Sequence, residues 1–239
     1  MPVTEETLLK KVAIADLFSS LQGEGPRLGE RHLFIRFPAC NLHCHYCDET
    51  GHPVEEIPIG ELLSEVRALD RKFGPHAFIS LTGGEPLLYY KVIQRIAPIL
   101  RGEGFKFYLE TAGYHVQELE QVLQLVDMIS MDMKLPSVTK DRDCFREHRA
   151  FLRLSQSKEV YVKIVISTEA SGEEFHEAVE IIREVNPRTL LVLQPMSVGE
   201  EKDIDPALLN VLYGLQSEAL RQIENVRVIP RLHKVLGIK

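Results

Sequence analysis

The chain has 239 residues, 44% of them hydrophobic, and a formal net charge of −7, an ordinary make-up for a water-soluble globular chain long enough to bury a full core. No apolar run approaches the length of a membrane span, the acidic, polar start Met1-Pro-Val-Thr-Glu-Glu-Thr7 is unlike a signal or transit peptide, and the acidic balance disfavours a broad nucleic-acid surface. Four cysteines and no leader suit a reducing compartment, so the expectation is a cytoplasmic protein with a small-molecule ligand and no disulfide framework.

A first strand is predicted over Val12 to Phe18, and the Gly-rich loop Leu21-Gln22-Gly23-Glu24-Gly25-Pro26 follows it. The next strand, Leu33 to Phe37, carries Arg36 and runs into the densest feature of the chain, Cys40-Asn-Leu-His-Cys44-His-Tyr-Cys47. This CxxxCxxC spacing offers three thiolates and no obvious fourth, since Cys144 lies far away in the Arg- and Asp-rich stretch from Asp141 to Arg149. Three thiolates can hold a 4Fe-4S cluster and leave its fourth iron open. Zinc is the alternative, with His43 or His45 completing a tetrahedron, although structural zinc ligands usually come as two separated pairs.

Ile59, Leu62, Leu63, Val66, Leu69 and Phe73 then mark one face of a helix. The strand Ala77 to Leu81 ends in Thr82-Gly-Gly-Glu-Pro86, whose glycines permit close backbone approach. A helix through Val92, Ile96 and Leu100 leads to the strand Lys106 to Leu109, which ends in Glu110-Thr-Ala-Gly113. The same alternation continues: a helix through Leu119 and Val126, a strand Met128 to Met131 ending in Asp132-Met133-Lys134, and a strand Val160 to Ile166 ending in Ser167-Thr-Glu169. A helix from Glu173 to Val185, opened by Ser171 with acids in its first turn, precedes the strand Leu190 to Leu193 and Gln194-Pro195-Met196-Ser197. A helix over Pro206 to Gln222, a strand Val226 to Ile229 and the tail from Pro230 to Lys239 complete the chain.

Repeated βα units predict an α/β fold, and about six parallel units in this length suit an incomplete, TIM-like barrel better than a closed eightfold one. The carboxyl ends of parallel strands share one face, so the motifs that follow them should converge on one mouth. Strand-to-helix loops are polar and Gly-rich in any case, which accounts for part of the pattern.

CxxxCxxC followed by Gly83-Gly84-Glu85-Pro86 resembles the radical S-adenosylmethionine superfamily, and Leu21 to Pro26 before Phe34-Ile-Arg36-Phe resembles its 7-carboxy-7-deazaguanine synthase family. The resemblance implies one radical SAM domain over residues 1–239, with a substrate loop at 17–36, a cluster loop at 40–48 and a tail at 230–239 closing the site. It implies a 4Fe-4S cluster on Cys40, Cys44 and Cys47, with S-adenosylmethionine on the open iron. One electron from the cluster then cleaves the cofactor's sulfonium and releases a 5'-deoxyadenosyl radical. The implied substrate is 6-carboxy-5,6,7,8-tetrahydropterin, held by Leu21, Gln22, Gly23, Glu24, Arg36, Thr82 and Lys239; family tails often end in Pro where this one has Lys239.

Cofactor contacts are implied for Tyr46, Cys47, Asp48, Gly84, Glu110, Asp132, Met133, Lys134, Gln194, Pro195, Met196 and Ser197. The family also uses Mg2+ two residues after the third cysteine; here Glu49 stands at that place and Thr50 follows, leaving the ligand to be one of the two. The implied reaction abstracts hydrogen from the pterin, contracts its ring, releases ammonia and regenerates the cofactor. The implied partners are a flavodoxin or ferredoxin-type electron donor and a second copy in a homodimer. The alternatives are a glycyl-radical activase, which shares the cysteines and GGEP but not Gln22-Gly-Glu-Gly or Arg36, and a zinc-binding scaffold module.

Overall fold

A computed structural model describes residues 5–47, 51–197 and 204–238. A short helix α1 (Glu5–Leu9) leads into β1 (Lys11–Ile14), β2 (Asp16–Leu21) and β3 (Arg31–Phe37), and β4 (Glu55–Pro58) pairs antiparallel with β1 in a small separate sheet. The chain then alternates through α2 (Ile59–Phe73), β5 (Phe78–Gly83), α3 (Tyr90–Gly102), β6 (Phe107–Thr111), α4 (Val116–Val122) and β7 (Met128–Asp132). It continues through α5 (Pro136–Thr139), α6 (Phe145–Ser155), β8 (Glu159–Ile166), α7 (Gly172–Val185), β9 (Leu190–Pro195), α8 (Pro206–Ala219), β10 (Val226–Val228) and α9 (Leu232–Leu236).

The main sheet has eight strands in the order β10-β9-β8-β7-β6-β5-β3-β2. Every neighbouring pair from β3 to β10 is parallel, and β2 is antiparallel to β3. Crossovers through α2, α3, α4, α6, α7 and α8 join the parallel strands, and β2 and β10 stay unpaired to each other. The architecture is thus the incomplete barrel of six βα units that the periodicity predicts. No described helix is long and apolar enough to cross a membrane.

Two local expectations change. The single strand predicted over Val12 to Phe18 is two, because the chain changes sheets at Ala15: β1 pairs with β4, Ala15 N donates to Arg36 O, and β2 pairs with β3. The Arg- and Asp-rich stretch, whose pattern predicts no element, enters α6. Its buried face includes His148 and Ser155 beside Phe145, Phe151 and Leu152, so polar residues at core positions mask the apolar stripe.

Strand alternation places the site. Leu33, Ile35, Ile79, Leu81, Phe107, Leu109, Ile129, Met131, Val162 and Ile164 point out to the helices and form the main core. The opposite residues point inward, and they change character along the strands. Phe78, Tyr108, Met128, Tyr161 and Val192 pack as a separate apolar plug. Nearer the carboxyl ends the inward positions carry Arg36, Thr82, Glu110, Ser130, Asp132, Lys163 and Gln194, all of which line one cavity. The plug closes one end of the barrel, and the polar layer forms the floor of the other.

Candidate active site

The cysteine loop leaves β3 at Phe37 and is held from below by the GGEP turn. Gly84 N donates to Phe37 O at 2.8 Å and Glu85 N to Ala39 O at 2.7 Å. Glu85 is fully buried, and its carboxyl accepts from Leu87 N, Thr111 Oγ1 and Ala112 N, which ties the turn to the end of β6. Burial raises its pKa above the ordinary value, while those donors pull it back. Further along, His45 N donates to Thr139 O at 2.9 Å and Cys47 N to Cys44 O at 3.0 Å, and Leu42 anchors the loop among Ala112, Tyr114 and Cys144.

Cys40, Cys44 and Cys47 all line the cavity, with Cys40 and Cys47 exposed. Among the described residues no three His, Cys, Asp or Glu side chains converge as a mononuclear metal site would require. Three thiols on one loop at one cavity wall are the donor set that a 4Fe-4S cluster would take on three of its irons. Burial pushes the Cys44 thiol up to about 11, so a cationic partner would be needed to favour its thiolate. Cys144 is 1% exposed behind the loop and does not line the cavity.

The cavity measures about 750 Å³ and is bounded by the cysteine loop, the inward strand ends, the loop after β2 and the tail. Gln22 organises the loop after β2: its Oε1 accepts from Glu24 N at 3.0 Å and its Nε2 donates to Glu110 Oε1 at 2.8 Å. Thr82 donates to the other Glu110 oxygen at 2.7 Å. Arg36 stands beside Thr82 in the strand register, its guanidinium 5.2 Å from the Phe18 ring centroid. The tail closes over the loop, with Leu232 N donating to Gly23 O at 2.8 Å and the His233 ring against Gly23, where any Cβ would collide.

A chain of charges crosses the floor. Lys163 Nζ lies 2.5 Å from Glu24 Oε2 and 3.1 Å from Asp132 Oδ2. Lys134 Nζ lies 2.8 Å from that same Asp132 oxygen and donates to Tyr46 OH at 3.3 Å. Burial alone would raise the carboxyls and lower the ammoniums. The mutual attraction wins: Glu24 and Asp132 fall below, and both lysines rise above, their ordinary values. Burial also pushes the Tyr46 phenol up to about 12. Glu110 is raised instead, by burial and then by nearby Glu24, against the pull of Thr82 and Gln22.

Of the residues singled out from sequence, Leu21, Gln22, Gly23, Glu24, Arg36, Tyr46, Cys47, Thr82, Gly84, Glu110, Asp132, Lys134 and Gln194 line this cavity together. Met133, Pro195, Met196 and Ser197 do not. Met133 is fully buried in the outer core, because alternation turns it away from Asp132 and Lys134; Pro195 ends β9, Met196 packs against the core, and Ser197 O accepts from Arg231. Asp48, Glu49, Thr50 and Lys239 lie outside the described residues. Lys163 was missed. Its signal is a lone Lys inside Val160 to Ile166, a run whose other residues are apolar or aromatic, since such a charge on a central strand must face a partner.

His148 beneath the loop yields a pH prediction. It is fully buried, its Nε2 lies 3.0 Å from Ala112 O, and burial pushes it down to about 4. From about pH 6.5 down to its native value the unfolded chain takes up a proton that native His148 refuses, so stability falls as the pH falls, by about 2 kcal/mol at pH 5. In anaerobic urea titrations His148→Gln should lose about 2 kcal/mol less than the parent between pH 7 and pH 5. Equal losses would remove His148 from the account.

Residues 34–205 match the family model of the radical SAM superfamily. The 7-carboxy-7-deazaguanine synthase of Geobacter sulfurreducens is 37% identical, with 94% of this chain and 96% of that one covered. The chain belongs to the 7-carboxy-7-deazaguanine synthase family of the radical SAM superfamily. Relatives of the same name from Methanocaldococcus jannaschii and Methanopyrus kandleri are 30% and 32% identical, over 94% and 93% of this chain and 99% and 92% of theirs. In fold, the chain is similar to QueE from Escherichia coli, with a TM-score of 0.63 at 17% identity over 96% of this chain and 99% of that one. It is also similar to TYW1 with a bound lysine-pyruvate adduct, with a TM-score of 0.57 at 11% identity over 80% and 74% of the two chains. Membership of this family implies a 4Fe-4S cluster and S-adenosylmethionine, and the three cavity thiols fit that donor requirement.

Proposed function

We propose that this chain is a radical SAM lyase that converts 6-carboxy-5,6,7,8-tetrahydropterin to 7-carboxy-7-deazaguanine with loss of ammonia, in the biosynthesis of queuosine and related deazapurines. The observation that carries the reading is one cavity lined jointly by three cysteines, the Gln22-Gly23-Glu24 loop and Arg36, in a chain whose relatives of that name match nearly end to end. When bound, the cluster and S-adenosylmethionine supply one-electron bond cleavage and hydrogen abstraction.

The residues of the chain bind, orient and shield. Cys40, Cys44 and Cys47 hold the cluster, and Tyr46, Gly84, Asp132, Lys134 and Gln194 form the wall beside it for the cofactor. Glu24, kept ionised by Lys163, accepts N–H groups from the pterin edge, and Gln22 holds that loop in place. Arg36 takes the substrate carboxylate in a bidentate fork. Leu232, His233 and Ile238 of the tail cover the loop side of the cavity and keep water from the reacting carbon. On this reading the whole chain acts as one unit.

Mg2+ belongs to the same proposal, with Glu49 or Thr50 as its protein ligand and the substrate carboxylate as its other partner; a carboxylate is the harder and more strongly charged donor. Glu49→Ala should weaken the Mg2+ dependence of turnover more than Thr50→Ala, and the reverse ranking would transfer the role to Thr50. A flavodoxin or ferredoxin-type protein supplies the electron, and the enzyme works as a cytoplasmic homodimer.

The reading is tested by anaerobic turnover of the reduced, reconstituted protein with 6-carboxytetrahydropterin, following the deazaguanine acid, ammonia and methionine. Product without stoichiometric methionine supports it; methionine release without product would favour an activase. Arg36→Lys should raise the substrate KM at least about tenfold with a smaller change in kcat, because an ammonium cannot reproduce the planar fork. An unchanged KM would take Arg36 out of the substrate site.

A further inference from the structure

Glu110 differs from the other two acids of the cavity floor. Glu24 and Asp132 are each held by a lysine, whereas the partners of Glu110 are an amide and a hydroxyl: Gln22 Nε2 donates to one oxygen at 2.8 Å and Thr82 Oγ1 to the other at 2.7 Å. Each oxygen keeps a lone pair for a further partner, and the side chain lines the cavity. Register fixes what it faces. Arg36 pairs with Thr82 across β3 and β5, and Thr82 bonds Glu110 on β6, so the three stand abreast on neighbouring strands. Neighbouring strands lie about 4.8 Å apart, so a ring whose carboxylate is forked by Arg36 extends over Thr82 towards the Glu110 carboxyl. Glu24 and Lys163 face that carboxyl from the loop after β2 and from β8, and the phenols of Tyr108 and Tyr161 lie beneath it. Burial, and then Glu24, raise its pKa, so it takes up a proton more readily than Glu24 or Asp132, which are lowered.

We propose that Glu110 is the catalytic base and acid of the ammonia-releasing step. The inference rests on the pterin reading above. 6-Carboxy-5,6,7,8-tetrahydropterin and 7-carboxy-7-deazaguanine differ by NH3, so the ring-contracted species that precedes the loss is an isomer of the substrate, carrying the expelled nitrogen as an amine. Its elimination needs no oxidant or reductant. The Glu110 carboxylate takes the proton from the ring carbon beside the amine-bearing carbon, and the C–H electron pair becomes the new ring double bond. The C–N bond breaks with its pair on nitrogen, and the Glu110 carboxylic acid gives its proton to that nitrogen. Ammonia leaves, and Glu110 ends ionised as it began. Its two fixed donors hold the carboxyl in place through both transfers.

The test is anaerobic single turnover of the cluster-loaded protein with S-adenosylmethionine and 6-carboxytetrahydropterin, quenched at intervals and separated by chromatography with mass detection, in the parent and Glu110→Gln. Glutamine keeps both hydrogen bonds, because its oxygen accepts from Gln22 and its amide donates to the Thr82 hydroxyl. Glu110→Gln should bind the pterin within about threefold of the parent in equilibrium dialysis, yet release the deazaguanine acid and ammonia at least about a hundredfold more slowly. It should also accumulate a species with the mass of the substrate that is not the substrate. Unchanged release overturns the proposal. Weaker pterin binding or slower substrate consumption without that isomer is the pattern of a residue that only holds Gln22 and Thr82, and it also overturns the proposal. If Glu110→Gln does not fold, Glu110→Ala with and without added formate replaces it: a gain in release of at least about tenfold with formate supports the role, and no gain overturns it. Parent protein that binds S-adenosylmethionine but no pterin overturns the functional reading. A productive parent whose Glu110→Gln variant accumulates no isomer overturns this inference alone.

Discussion

Cys44→Ala is expected to abolish the brown colour of the anaerobic protein and all turnover, whereas Cys144→Ala should leave both in place. Cys44 is the middle thiol of a loop whose three sulfurs line one cavity. Its loss leaves two protein ligands for a cluster that needs three if one iron is to stay open. Cys144, at 1% exposure, packs with Leu42, Ala112 and Tyr114, and its thiol faces Arg142 O at 3.9 Å. Replacing it by alanine removes one buried sulfur, a loss on the order of 1 kcal/mol, small beside the stability of a domain. Iron and sulfide content with the visible spectrum of the reconstituted proteins decides the matter. Loss of the cluster from the Cys144 variant would mean that the fourth cysteine is a ligand, and the open iron on which the mechanism depends would be gone.

Gly84→Ala should have an effect almost as large without touching a ligand. A Cβ at Gly84 would run into the Ala39 carbonyl and stand 2.9 Å from the Cys40 amide nitrogen, both main-chain atoms of the cysteine loop. Backbone cannot rotate aside as a side chain would, so the loop must lift from the GGEP turn and lose the Gly84 N to Phe37 O and Glu85 N to Ala39 O bonds. Cluster occupancy should fall at least about tenfold, the equivalent of roughly 1.4 kcal/mol or more. Gly102→Ala is the control, because a Cβ at that end of α3 meets nothing within 4 Å; there the substitution should be neutral or mildly stabilising. If Gly84→Ala took up a full cluster, close backbone approach would not be the reason for glycine at that position.

Much of this site was readable before any coordinates, and the residues say why. The cysteine triplet, the GGEP turn and the Gln22-Gly-Glu loop are compact runs in which function and neighbourhood coincide, so a reader of the chain meets the cluster loop and its backbone support whole. Lys163 was not readable in the same way, because its partners Glu24 and Asp132 stand far from it in sequence and meet it only through strand register. Met133 is the converse case: it stands inside Asp132-Met-Lys134, yet the two-residue period of a strand end turns it into the core. Helix α6 was hidden because His148 and Ser155 occupy core positions where an apolar residue marks the stripe elsewhere.

The amino-acid sequence by itself determined the alternation of strand and helix, the open barrel of six units, the cysteine triplet proposed to hold the cluster, and the family. All of these depend on local periodicity or on residues a few positions apart. Only the tertiary structure decided that the inward strand positions divide into an apolar plug and a charged floor, that Lys163 joins the two sides of the cavity, that Cys144 is sealed behind the loop, and that the tail docks on Gly23. The physical reason is that these contacts close loops of many tens of residues, and their geometry is set by which strands neighbour one another and in what register. No local window of the chain contains that information.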